Sequence, residues 1–208
     1  MEDRKLTEKE SLEVITSMIA RTKDRYIGNG NIMLMWGYLC VSVSALVWIM
    51  LVVTHNPVWN WLWFLIWLIG GTLTPIMARR EESDRGVKNY SDRVTSQMWS
   101  VVGFSAIAMT AICLGLMLFG GVDAWPTWFA FALIIVPFAE IAQGIVFRES
   151  SMTAGGAVGM LIGIFTLCCL VGGVTLYAVW FMPLFMAAFV CMMVIPGHIL
   201  NRKAKKQK

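Results

Sequence analysis

Residues 26–78, YIGNGNIMLMWGYLCVSVSALVWIMLVVTHNPVWNWLWFLIWLIGGTLTPIMA, run for 53 positions without a lysine or an arginine and then meet Arg79-Arg80. Two more stretches behave the same way: 94–147 has 54 residues and 149–201 has 53. An α-helix rises about 1.5 Å per residue and a bilayer's hydrocarbon core is about 30 Å thick, so one crossing consumes roughly 20 residues. Each stretch is therefore long enough to cross, turn and return. The fold class that follows is all-α, a polytopic membrane bundle of six transmembrane helices in three hairpins.

Composition agrees. The chain is 58% apolar and 14% charged, against a soluble average of about 25% charged. Its net charge of +4 is segregated: six cations lie between Arg4 and Arg25, five between Arg79 and Arg93, Arg148 stands by itself, and five follow from Arg202 to Lys208. Cations at the ends of apolar stretches mark sidedness and not a nucleic-acid partner. By the positive-inside rule both termini and both inner connections are cytoplasmic.

The spacing predicts spans over about 31–54, 58–78, 96–119, 125–147, 154–178 and 180–200. The outer turns fall at His55-Asn56-Pro57, at Gly120-Gly121-Val122-Asp123, and between Tyr177 and Met182. Trp59, Trp61, Trp125, Trp128 and Trp180 gather at that outer interface, the depth that amphipathic rings prefer. Trp59, Trp63 and Trp67 also share a helical face, read first as a lipid-facing belt and second as a ligand-binding stripe. The organisation is then an amphipathic N-terminal helix in 1–29, a membrane domain in 30–201 and a basic tail in 202–208.

In the N-terminal segment Thr7-x-x-Glu10 fits a capping box, and Leu12, Ile15, Ile19 and Tyr26 recur on one face. Such a helix lies on lipid headgroups or, through residues 7–26, docks a cytoplasmic protein. Gly28-Asn29-Gly30-Asn31 separates it from the first span.

The six prolines fall two per hairpin. Pro57, Pro126 and Pro183 lie near the starts of the even-numbered helices, where a missing N–H costs little. Pro75, Pro137 and Pro196 lie deeper, so each is expected to bend its helix and free the carbonyl four residues earlier, on Gly71, Leu133 and Met192. One reading is three parallel repeats whose bent even helices surround a central cavity; the other is coincidence. Gly155, Gly159 and Gly163 share one face of helix 5 and admit a closely approaching backbone, from the same chain or from a second copy in a homo-oligomer.

Among the acidic residues, Glu140 alone is expected deep inside a span. A carboxylate in hydrocarbon is costly unless it is protonated, paired or hydrated, and by default it marks a functional site. Gln143 follows it by three residues. Ser105, Thr74 and His198 are the partners that other helices are expected to supply. No nucleophile with its base is evident, Cys40, Cys113, Cys168, Cys169 and Cys191 form no C-x-x-C, and no metal or cofactor motif occurs. Gly103-Phe104-Ser105-Ala106 is a loose match to an intramembrane serine-protease motif without the rest of its machinery.

Trp36-Gly37, Gly70-Gly71, Tyr90-x-Asp92-Arg93 ahead of Trp99, and Ile195-Pro196-Gly197-His198-Ile199-Leu200 ahead of the terminal lysines resemble, along nearly the whole chain, a family of uncharacterised bacterial six-helix inner-membrane proteins. The resemblance implies location and helix count, and carries no activity and no site residue. The first expectation for function is a non-enzymatic regulatory or scaffold subunit; the alternative is a small-solute or proton-coupled transporter or channel using Glu140.

Overall fold

The computed structural model describes residues 7, 9, 12–14, 16, 30–85 and 90–206. Most of the expected N-terminal helix, Glu10, Ile15, Ile19 and Tyr26 included, lies outside these residues. Among them, six helices are long and apolar enough to cross a membrane. Their elements are α1 (Asn31–Thr54), a 3₁₀ segment (Pro57–Trp63) that runs into α2 (Phe64–Arg85), α3 (Tyr90–Gly120), α4 (Trp125–Phe147), α5 (Ser150–Val171), and α6 (Ala178–Phe189), continued through a π-helical segment (Val190–Val194) into α7 (Ile195–Lys206).

Chain punctuation sets these limits. His55 ends α1 in the left-handed region at φ 51°, and the Asn56 side chain accepts from the Val58 N–H to open the 3₁₀ turn. Arg148 ends α4 at φ 52°, where the Glu149 N–H closes back on the Gly144 carbonyl at 2.8 Å. Gly173, at φ 73°, ends α5 as the Val174 N–H bonds the Cys169 carbonyl at 2.8 Å. This is the closing pattern of helices that stop at a left-handed residue.

Several expected boundaries are corrected. Helix 5 runs over Ser150–Val171 and not 154–178, because Gly172-Gly173 stops it; the outer turn therefore precedes Tyr177. Helix 3 begins at Tyr90, upstream of 96, and the last helix continues to Lys206, so the described part of the basic tail is helical. The expected start of helix 2 is a 3₁₀ segment, Pro57–Trp63.

Hydrogen bonds place the start of α1, the α4–α5 turn and the end of α7 at one face. The Gly30 N–H donates to Asn201 Oδ1 at 2.8 Å, Asn201 Nδ2 donates to Asn31 Oδ1 at 2.8 Å, and Lys203 reaches Glu149 at the α4–α5 turn at 2.7 Å. We call this end the basic face.

The core is built on α4 and α6. Leu133, Phe181, Phe185, Phe189, Met192 and Met193 pack there, joined by Cys40 from α1. Towards the outer face, Phe129 stands edge-on to Phe181 and Phe185, and Trp63 stands edge-on to Phe129 at 5.2 Å, which draws the start of the second span against α4. The second span is only 6% buried within the protein, against 39% for α4 and 44% for the last span. The even-numbered helices thus do not ring a central cavity: α2 sits at the edge, α4 and α6 inside. Pro183 also departs from the repeat, since it falls within α6 and not in its first turn.

Large apolar side chains face outward, including Phe104 at 73% exposure and Phe119 at 92%. In water such a surface would drive aggregation. In hydrocarbon it meets its own kind, and helix association rests on close packing and polar contacts instead.

Candidate functional site

The polar groups expected to converge on Glu140 are held apart. Thr74 Oγ1 accepts from Trp36 Nε1 at 2.9 Å, joining α2 to α1. His198 Nε2 pairs with the Tyr38 hydroxyl at 2.7 Å, joining α7 to α1. Gln143 Oε1 accepts from Trp99 Nε1 at 2.7 Å, joining α4 to α3. Ser105 sits half-exposed on α3 and makes no bond to Glu140. In each of the first three pairs a side chain that hydrocarbon would leave unsatisfied has found a donor or acceptor on the next helix.

Glu140 has found none. It is fully buried at 0% exposure, and among the described residues neither carboxyl oxygen has a hydrogen-bond partner. It lies on the inner face of α4 with Leu133, Pro137 and Gly144, all buried. This is the face that packs on α5.

The glycines of α5 fit that packing. A side chain at Gly163 would strike the Leu133 carbonyl, one at Gly159 would strike the Pro137 ring and Met192 Sδ, and one at Gly155 would strike the Cys191 carbonyl and Pro196. Gly156 likewise abuts the Pro137 carbonyl and Ile141. The glycine face therefore receives α4 on one side and the π segment on the other, and its partner helices are in the same chain. Pro137 and Pro196 are the contact points. Pro196 is preceded by a register shift: the Ile195 N–H bonds the Val190 carbonyl instead of that of Cys191. Pro75, within α2, has no such glycine partner: Gly71, one turn before it, faces open space.

The sequence reading passed over Glu149. Its side chain is only 7% exposed, and both its oxygens accept from Lys203 Nζ, at 2.7 and 2.8 Å, while Ser151 Oγ donates to one of them at 2.9 Å. Burial alone would push this carboxyl up, but the bonds from Lys203 and Ser151, with the lysine charge, outweigh it and hold the group below the usual carboxylate range. A surface reading of a lone acid between two spans gives no sign of this.

Beside Glu149 opens a cleft of about 450 Å³, lined by Gly144, Ile145, Arg148, Ser150, Thr153 and Ala154 among others. Among the described residues, no three His, Cys, Asp or Glu side chains gather as a metal site.

Comparison of the chain with known protein families, curated proteins and solved structures finds no match. Fold and surface together define a multi-pass α-helical membrane protein.

Proposed function

We propose that this protein is a small proton-coupled transporter of the bacterial inner membrane, oriented with its basic face in the cytoplasm, in which Glu140 carries the proton. The observation that supports this is the complete burial of Glu140 with both oxygens unpartnered. A structural carboxyl in hydrocarbon is normally bonded to a neighbouring helix, as the Gln143, Thr74 and His198 side chains are. One left without a bond is costly to keep, and sites that must take up and release an ion are where such cost persists. A single carboxyl with no second acid beside it suits a proton better than a multivalent cation, which needs several oxygen ligands.

The test is proton flux in proteoliposomes under an imposed potential, followed with an entrapped pH-sensitive dye. Flux is expected from the natural chain, is lost in Glu140→Gln and is partly kept in Glu140→Asp. Equal flux from the natural chain and Glu140→Gln sinks the reading.

A second reading, a regulatory or scaffold subunit, is favoured by the N-terminal segment, where the helical residues Leu12 and Val14 are 66% and 42% exposed. It calls for a cytoplasmic protein that co-purifies with the full chain and is lost when residues 1–25 are removed.

A further inference from the structure

We propose that the cleft at the α4–α5 turn is the proton's way to Glu140 from the basic face, and that the Glu149–Lys203 pair latches α7 across it. This rests on the reading of Glu140 as the proton carrier. Gly144 lines the cleft and lies one helical turn from Glu140 on the same face of α4, which is about 6 Å along the axis. Gly144 and the Thr153 side chain form the wall of the cleft on the side of that turn, with the buried Met152 packed beside them. The two are in tight contact: a side-chain carbon at Gly144 would come within 2.6 Å of Thr153 Oγ1. The Thr153 hydroxyl makes only a long bond, 3.5 Å, to the Glu149 carbonyl. A hydroxyl so weakly held can turn, and it can both accept and donate a proton.

The latch sits on the same wall. Glu149 lines the cleft, and Lys203 holds it from α7. That helix is joined to α6 by the π segment and Pro196, where two successive carbonyls, those of Cys191 and Met192, lose their regular donors: one to the register shift, the other to the ring nitrogen. Sharp changes of helix direction belong at such places. Above Lys203, α7 is held to α1 by the Asn201 and His198 bonds and by Gly197 against Gly30, and to α5 by Pro196 against Gly155, so release of Lys203 frees only the end of α7 beyond Asn201, beside the cleft.

The experiment measures how fast a water-soluble carbodiimide with an amine modifies Glu140 in the full chain, purified in nanodiscs, read by mass spectrometry of the peptide that holds it. Lys203→Met is expected to raise the rate about fivefold, the gain in open fraction when a half-exposed ion pair is lost. Thr153→Cys treated with a bulky thiosulfonate is expected to bring the rate to background, and reduction is expected to restore it in the same sample, which also shows that the variant is folded. The natural chain given the same reagent should keep its rate. An unchanged rate in Lys203→Met, or modification of Glu140 undiminished by the block at position 153, overturns the proposal. Flux and labelling report separately: labelling that responds without any proton flux sinks the transport reading and keeps the cleft, while flux with unresponsive labelling sinks the cleft and keeps the transport reading.

Discussion

Gly163 of α5 lies against the carbonyl oxygen of Leu133 on α4, the oxygen whose helical donor Pro137 removes. Two departures from regular helix chemistry thus meet. A carbonyl freed by a proline has no water in hydrocarbon, and a glycine lets the neighbouring backbone come close enough for Cα–H groups to face it. Gly163→Ala puts a carbon into backbone that cannot rotate away, so it is expected to cost about 1–3 kcal/mol. Gly71→Ala and Gly103→Ala, at helical positions with nothing within 4 Å, are expected to be neutral or slightly stabilising. Thermal unfolding of the three variants in one detergent checks the contrast; equal loss at all three positions refutes it.

The three cation-free stretches were legible because charge is nearly excluded from hydrocarbon, so the places where lysine and arginine occur report the crossings directly. Turn positions were legible where glycine or proline marked them, as at Gly120-Gly121 and Pro57. The Gly172-Gly173 turn was missed because, unlike Gly120-Gly121, it is not closely followed by a charged or proline residue, and Val174, Leu176 and Tyr177 keep the stretch apolar enough to read as more helix. Glu140 stood out for the same reason as the crossings did. Its surroundings did not, because pairings such as Trp36 with Thr74 and Tyr38 with His198 depend on which helices are neighbours, and no spacing within one helix encodes that.

Burial of Glu140 without a partner predicts an exchange of stability for function. Removing an unsatisfied polar group in favour of an apolar one of similar size recovers desolvation free energy of about 1–3 kcal/mol. Glu140→Leu is therefore expected to unfold at a higher temperature than the natural chain while proton flux disappears. Were Glu140 a structural anchor, the same substitution would lower the unfolding temperature, so a loss of stability counts against the assigned role.

The Glu149–Lys203 pair predicts an acid sensitivity with a definite sign. The folded carboxyl titrates below its ordinary value of 4.5, so the folded protein binds fewer protons here than the unfolded chain does as pH falls through the range near that value. The stabilisation is complete above the ordinary value and is lost as pH drops through the lowered one. Lys203 is 47% exposed, which limits the pair to about 1 kcal/mol. As pH falls from 7 through the lowered value, the natural chain is expected to lose about that much more stability than Lys203→Met, whose carboxyl no longer has a cation to favour its charged form. Parallel pH profiles for the two proteins would show that the pair contributes nothing.

The same-face arrangement of the chain ends makes the topology testable without any assumption about activity. Gly30 and Asn201 are hydrogen-bonded, and Lys203 reaches the α4–α5 turn, so the start of α1, that turn and the end of α7 are on one side. The turns at Asn56 and Asp123 follow α1 and α3 after full crossings and are on the other. If the basic face is cytoplasmic, a cysteine placed at Asn56 or Asp123 is expected to react with a membrane-impermeant maleimide added outside intact cells, and one placed at Ser150 or Lys206 only after the membrane is opened. Ser150 is the informative control, because it sits at the one inner connection marked by a lone arginine, Arg148, where the charge signal is weakest. Reaction at Ser150 from outside would reverse the third hairpin and break the Lys203 contact on which the latch depends.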